Sequence, residues 1–318
     1  MTPILPAHID STMTSCFRSC PRKYYNEFIL GLRPPGVSID LHAGGAFAHC
    51  VEVVRREVFI NQRSLADALL RASAAFEIYW GDFQIPDHKK TNKRPERVWA
   101  AVESYFAAYP PLTDHIQPYF IDGKPTLEFT FAIPLEPLPY GSMTSRDDWP
   151  LHPVSGDPFM YVGRFDLLGE YMGMPIVSDD KTSGSGHYAN WSEKWDLRGQ
   201  FIGYTWACKQ LGIDVDSCAV RGVGIQATQI AHAEAIKVYS DDLRARWLEQ
   251  LRRDLWRIVQ CWEDGYFDYN FAESCTDYGN CIFSTSCQSS TPGVWLNNFE
   301  VRRWDPTKAD PTKEANAA

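Results

Sequence analysis

Apolar and polar positions alternate most strictly over residues 126–135, TLEFTFAIPL, which sets Leu127, Phe129, Phe131 and Ile133 on the core face of a strand. Glu128 falls on the other face, in solvent or near a site. The same period predicts a pair of short strands over 160–184, MYVGRFDLLGEYMGMPIVSDDKTSG, joined by a tight turn at 171–175, and two more strands over 220–230 and 233–239. A helical period governs other stretches. Over 241–262 it aligns Leu243, Trp247, Leu251, Leu255, Ile258 and Trp262 in one apolar stripe, which reads as core. Further helices are expected over 41–60, 64–79, 97–109 and 197–211. From Ser11 to Leu32 the pattern gives two short helices broken near Cys20, because Pro21 suits a first turn; Pro34-Pro35-Gly36 ends them. Residues 134–158, rich in Pro, Gly and Ser, read as a long loop, and 184–196 as a shorter one with Trp191 and Trp195.

The paired strands at 160–184 carry the most suggestive chemistry. Side chains on a strand alternate, so Asp179 and Lys181 share a face. Asp166 and Asp179 lie about equally far from the turn at Gly173, so a hairpin sets them roughly opposite. Two carboxylates at that range are costly unless a cation sits between them, and oxygen donors suit Mg²⁺ or Mn²⁺. Such a site fits phosphodiester hydrolysis, with Lys181 orienting water or neutralising charge in the transition state. A surface hairpin with solvated charges is the bland reading of the same residues.

Composition narrows the setting. The chain has 318 residues, 44% hydrophobic and 14% aromatic, enough for a substantial core. No apolar run reaches the length of a membrane span and no signal-peptide layout opens the chain, so a cytoplasmic protein without a membrane partner is expected. A net charge of −9 speaks against a general nucleic-acid coat but not against a nuclease, whose basic groove can be local. Two basic groups stand out: Arg18, Arg22 and Lys23 beside Tyr24 and Tyr25, and Lys89, Lys90, Lys93, Arg94 and Arg97. Each suits a DNA path or an ordinary solvated surface. Of nine cysteines, Cys275, Cys281 and Cys287 follow a Cys-x5-Cys-x5-Cys spacing in a loop-like segment, 273–290, which suits metal ligation if a fourth ligand joins. His49 lies on an apolar helix, one turn after Gly45, on a face that nothing bulky shields. Gln200 and Tyr204 stand one turn apart on a helix.

The order Cys20-Pro-Arg-Lys-Tyr-Tyr, Gly45-x3-His49, Gly163-x2-Asp166, Asp179-x-Lys181-Thr182, Gln200-x3-Tyr204, then Cys275, Cys281 and Cys287 resembles the PD-(D/E)XK nuclease superfamily. Within it the pattern is similar to the RecB-like branch with a four-cysteine iron–sulfur cluster, which includes AddB-type domains, CRISPR-associated exonucleases and phage proteins. The resemblance implies an α/β, restriction-endonuclease-like fold: a mixed central sheet flanked by helices, with the N- and C-terminal segments joined by a metal cluster. It implies His49, Asp166, Asp179 and the main-chain oxygen of Asp180 as ligands of the hydrolytic metal, Lys181 as the catalytic lysine, and Gln200 and Tyr204 supporting the site and approaching DNA. Cys20, Cys275, Cys281 and Cys287 would hold a [4Fe–4S] cluster. The final spacing departs from the family's Cys-x2-Cys-x5-Cys, which leaves a structural Zn²⁺ open, and Cys16 competes with Cys20.

The expectation is therefore a flexible stretch at 1–10, one nuclease domain over 11–304 and a disordered tail at 305–318. The activity expected is that of a metal-dependent DNA nuclease, an exonuclease of recombination, repair or phage DNA processing. The alternative is a non-catalytic nucleic-acid-binding or assembly protein that keeps the fold. No Gly-x4-Gly-Lys pattern occurs, so a helicase or recombination partner would be a separate chain.

Overall fold

The computed structural model describes residues 2–86, 89–136, 148–184, 190–271, 273–276 and 280–308. In chain order its elements are β1 (His8–Ile9), α1 (Ser11–Ser19), α2 (Pro21–Tyr24), β2 (Leu32–Arg33), α3 (Ile39–Phe59), α4 (Leu65–Trp80) and α5 (Pro95–Ala108). Then come β3 (Ile116–Pro118), β4 (Phe120–Ile121), β5 (Lys124–Pro125), β6 (Leu127–Pro134), β7 (Met160–Tyr171) and β8 (Met174–Ser183). The rest is α6 (Gly199–Gln210), β9 (Ser217–Ile225), β10 (Ile230–Val238), α7 (Asp241–Glu263), α8 (Ser284–Gln288), α9 (Pro292–Leu296) and β11 (Glu300–Val301). The chain forms two compact units, each discontinuous in sequence.

One unit comprises Val37–Phe129 and Arg164–Asp241. Its sheet is mixed: β7 and β8 are antiparallel, β8 and β9 parallel, β9 and β10 antiparallel, and β3 adds to β7. Helices flank it. β9 is buried along almost its whole length because both faces are covered, which is why it reads as a continuous apolar run. On one face, Cys218 donates to the carbonyl of Phe201 in α6, and the Trp191 ring fills the place where a side chain on Gly222 would stand. On the other, Val223 and Ile225 join a core built with Ala43, Phe47, Val51 and Val54 of α3, Phe76 of α4 and Val102 of α5. Ser38 starts α3 by accepting the Leu41 amide, and Ser64 starts α4 by accepting the Asp67 amide. Gly81 stops α4 with φ of +52°, a region open to glycine at little cost.

The other unit comprises Met1–Gly36, Thr130–Gly163 and Asp242–Ala318. Residues 1–10, expected to be flexible, contain β1, whose His8 and Ile9 pair in parallel with Met160 and Tyr161. Leu5 and Ile9 are buried, and Asp10 caps α1 by accepting the Met13 amide at 2.7 Å. The helix break at Cys20 is as expected: its extended backbone (φ −162°, ψ 111°) separates α1 from α2. In α7, Trp247, Leu251, Leu255 and Ile258 are buried as the stripe foretold. Asp254 is buried with them because Arg18 pairs with it at 2.6 Å. β11 pairs with β2 through Glu300–Arg33 and Val301–Leu32, which ties late residues to early ones. Of the tail expected at 305–318, residues 305–308 form a turn in which Asp305 accepts from Thr307; 309–318 lie outside the described residues.

Candidate active site

The hairpin forms as its sequence demands, turning at Met172-Gly173, with Gly173 at φ of +81°. The register pairs Leu167 with Ser178, so one further step sets Asp166 across from Asp179. There β8 leaves β7 and continues along β9, and the Asp166 carboxylate accepts the main-chain N–H of Asp180 at 2.7 Å. Alternation along β8 then sorts its polar residues. Lys181 lies 5.9 Å from the centre of the Phe201 ring of α6 and pairs with Asp179 at 2.5 Å. Asp180 points the other way, to α3 and α5: Arg55 donates to it at 2.9 Å and the Tyr105 hydroxyl at 2.8 Å.

The site's electrostatics follow from burial of like charges. Burial, then Asp179, Asp180 and Glu128, push the Asp166 carboxyl well above the usual carboxylate range, against the pull of Lys181. Burial also raises Asp179, although Lys181 opposes it. Burial would lower Lys181, but Asp179 and Asp166 outweigh it and hold the amine protonated. Glu128 belongs to this group rather than to solvent. It sits in β6 with φ of +52°, a strained backbone for a residue with a side chain, pairs with Arg164 at 2.6 Å, and is raised by burial, with Glu52 adding to the effect. α6 closes that side: Gln200 donates to the Tyr204 hydroxyl at 2.9 Å, which donates to the Arg164 carbonyl at 2.6 Å.

The surroundings of Gly45 and His49 differ from expectation. Their helix packs against the Asp180 and Thr182 side of β8, where a side chain on Gly44 would come within 3.4 Å of the Thr182 hydroxyl. The space over Gly45 is not open: the Tyr79 phenol fills it, and the His49 ring stacks on Tyr79 at 5.5 Å. Among the described residues no three His, Cys, Asp or Glu side chains stand close enough together to hold a metal ion. The donor set nonetheless suits a hard divalent cation, because Asp179 is buried, its charge raises the Asp166 carboxyl beside it, and Lys181 pulls against the rise at both.

Sequence reasoning missed Arg55, Tyr105 and Arg221. Arg221 is buried in β9, bound to Asp114 through two contacts at 2.6 and 2.7 Å, to Glu234 at 2.7 Å, and over the Tyr109 ring at 4.0 Å. The signal was a charge inside an apolar pattern: Arg55 among the valines of α3, and Arg221 within CAVRGVGI. The basic group at 18–23 is spent inside its own unit. Besides the Arg18–Asp254 pair, Lys23 lies 3.8 Å from Glu27, and the Arg22 guanidinium covers the rings of Tyr25, Tyr266 and Tyr269. Tyr24 is fully buried.

The cysteines expected to bind metal share one unit. Cys275 closes a short 3-10 turn and Cys287 lies in α8, so the segment is less irregular than expected. The Cys281 amide bonds to the Cys275 carbonyl, and the Arg22 amide to the carbonyl of Asp268, which precedes the cysteine segment. Burial, then Cys281 and Cys20, with Cys275 adding less, push the Cys287 thiol up, while Arg22 opposes them. The Cys16 thiol is pushed up chiefly by burial, with Glu27 and Cys20 adding to the effect.

A mixed sheet flanked by helices, with an Asp-x-Lys strand facing a second Asp across a hairpin, is the frame of a nuclease. A family model of the PD-(D/E)XK nuclease superfamily matches residues 12–288, nearly the whole chain, and the chain belongs to that superfamily. Among solved structures, one from Eubacterium rectale described as a "Putative exonuclease" is similar at 12% identity, with 84% of this chain and 85% of that chain covered and a TM-score of 0.46. The crystal structure of SSO0001 is similar at 15% identity, over 77% of this chain and 84% of that one, with a TM-score of 0.30. No curated protein matches the chain. Among the described residues no helix is long and apolar enough to cross a membrane.

Proposed function

We propose that this chain is a metal-dependent deoxyribonuclease, an exonuclease serving recombination, repair or phage DNA processing. The observation that carries the reading is the convergence of Asp166, Asp179 and Lys181, with Lys181 bound to Asp179 at 2.5 Å. Asp166 and Asp179, with the main-chain oxygen of Asp180 and His49, are the proposed ligands of Mg²⁺ or Mn²⁺. The chemistry a bound cation supplies is Lewis-acid polarisation of the phosphodiester and a more acidic water. The protonated Lys181 holds the attacking water by its oxygen or offsets charge as the bond breaks. Tyr204 and Gln200 fix β7 from α6, which holds Asp166 in place. The non-catalytic alternative is disfavoured because all three residues are intact and brought together.

Cys20, Cys275, Cys281 and Cys287 are proposed to hold a [4Fe–4S] cluster, with zinc as the competing metal; the reading rests on their order and spacing in the sequence. The proposed location is the cytoplasm, where thiols stay reduced and open to a metal. DNA is the proposed substrate, and a motor, where one is needed, is a separate helicase or recombination protein. The test is incubation of the purified chain and its Asp179→Ala variant with labelled single- and double-stranded DNA, with Mg²⁺, Mn²⁺ or chelator. Cleavage that chelator abolishes and Asp179→Ala lacks is expected. Equal cleavage by a folded Asp179→Ala protein would overturn the assignment.

A further inference from the structure

Past the end of β8, three residues beyond Lys181, Gly184 opens onto a cleft of about 800 Å³. Its other lining comes from the first turn of α3 (Asp40) and the segment leading into α5: Ile85, Pro86, Lys89, Lys90, Thr91, Asn92 and Arg94. The charge there is opposite to that of the chain, which carries −9 overall. Asp40 is neutralised by Lys93, buried at 3.0 Å from it, with Lys89 at 3.8 Å. Lys90 and Arg94, both exposed, have no ion-pair partner among the described residues. Among the described residues, holding a cation on each of Lys89, Lys90, Lys93 and Arg94 with only Asp40 paired to them costs self-repulsion, which a polyanion relieves. The strand rise puts Gly184 about 10 Å from Lys181, close enough for one bound strand to reach both.

We infer that this cleft holds the sugar–phosphate backbone of a single DNA strand close to the bond to be cut, with Lys90 and Arg94 contacting phosphates. This rests on the proposed nuclease function for the polarity of the path but not for the binding itself. Both side chains contact backbone rather than bases, so the site is indifferent to sequence and responds strongly to salt.

The test reads binding in chelator, without cleavage, using a fluorescein-labelled twelve-nucleotide oligothymidylate and the full chain across a salt series. Lys90→Gln/Arg94→Gln is expected to bind more weakly and to flatten the slope of log affinity against log salt by about 1.4, two contacts at ~0.7 each for a single strand. Lys90→Arg/Arg94→Lys, which keeps both charges, is expected to retain the parent slope. Neither pair should disturb the fold, since α5 is capped through the Arg94 carbonyl, which accepts from Arg97 and Val98 at 2.9 Å. An unchanged slope in the glutamine variant, or an equal loss in the charge-keeping variant, overturns the inference. A parent that cleaves no DNA with Mg²⁺ or Mn²⁺ defeats the proposed function instead, and the salt slope still decides the cleft.

Discussion

Arg55 and Asp180 pair at 2.9 Å with side chains only 6% and 2% exposed, on the side of β8 away from Asp179 and Lys181. The residue between the two that carry the chemistry is thus an anchor, fixed by a guanidinium and by the Tyr105 hydroxyl. A strand held at its middle residue presents its neighbours in one orientation. Arg55→Met leaves a buried carboxylate with one partner and is expected to cost ~3–5 kcal/mol of stability, the range for breaking a buried pair. Arg55→Met/Asp180→Asn should recover most of that loss. Denaturant unfolding of the three proteins measures both; equal midpoints for parent and Arg55→Met would show that the pair does not anchor the strand.

Lys181 is expected to act on the rate rather than on binding. Its amine is held charged by Asp179 and Asp166. Lys181→Ala should bind DNA about as well as the parent yet turn over ~10²-fold more slowly, as for loss of a preorganised electrostatic group. Single-turnover rates beside binding isotherms check it. Parallel losses in both would make Lys181 a simple phosphate contact.

His232 gives a pH dependence of stability. Burial lowers its pKa, while Ser104 contacts its Nε2 at 2.7 Å. The folded state therefore resists protonation. The stabilising contribution is present above the unfolded value of about 6.5 and is lost as pH falls through the folded value. His232→Gln removes that loss, so the parent should lose more stability than the variant between pH 7.5 and pH 5. Unfolding free energies at the two pH values measure it, and identical pH slopes would contradict it.

The thiol set has a visible signature. Protein purified without oxygen is expected to be brown with about four irons, as a [4Fe–4S] cluster requires. Cys281→Ser should bleach it and lower the melting temperature, because a bond between distant segments is lost. One tightly held zinc in a colourless protein would replace iron with a structural zinc site. No metal at all would remove this cluster while leaving Asp166, Asp179 and Lys181 untouched.

Sequence alone determined the periodic elements: the stripe of α7, the alternation of β6, the break at Cys20 and the hairpin that sets Asp166 across from Asp179. These follow from local rules, since a period of two or 3.6 residues fixes which side chains share a face. It also showed Asp179 and Lys181 on one face and Gln200 beside Tyr204, contacts between near neighbours in the chain. Tertiary structure decided the rest. Only folding brings Arg55 to Asp180, 125 residues away, and lays Tyr79 over Gly45. Only folding turns Glu128 inward through a backbone angle that alternation does not foresee, and sets the helix of His49 against the Asp180 side of β8. The reason is that a buried charge is tolerable only beside its partner, and which partner arrives depends on how helices cross the sheet, a property no short stretch of sequence contains.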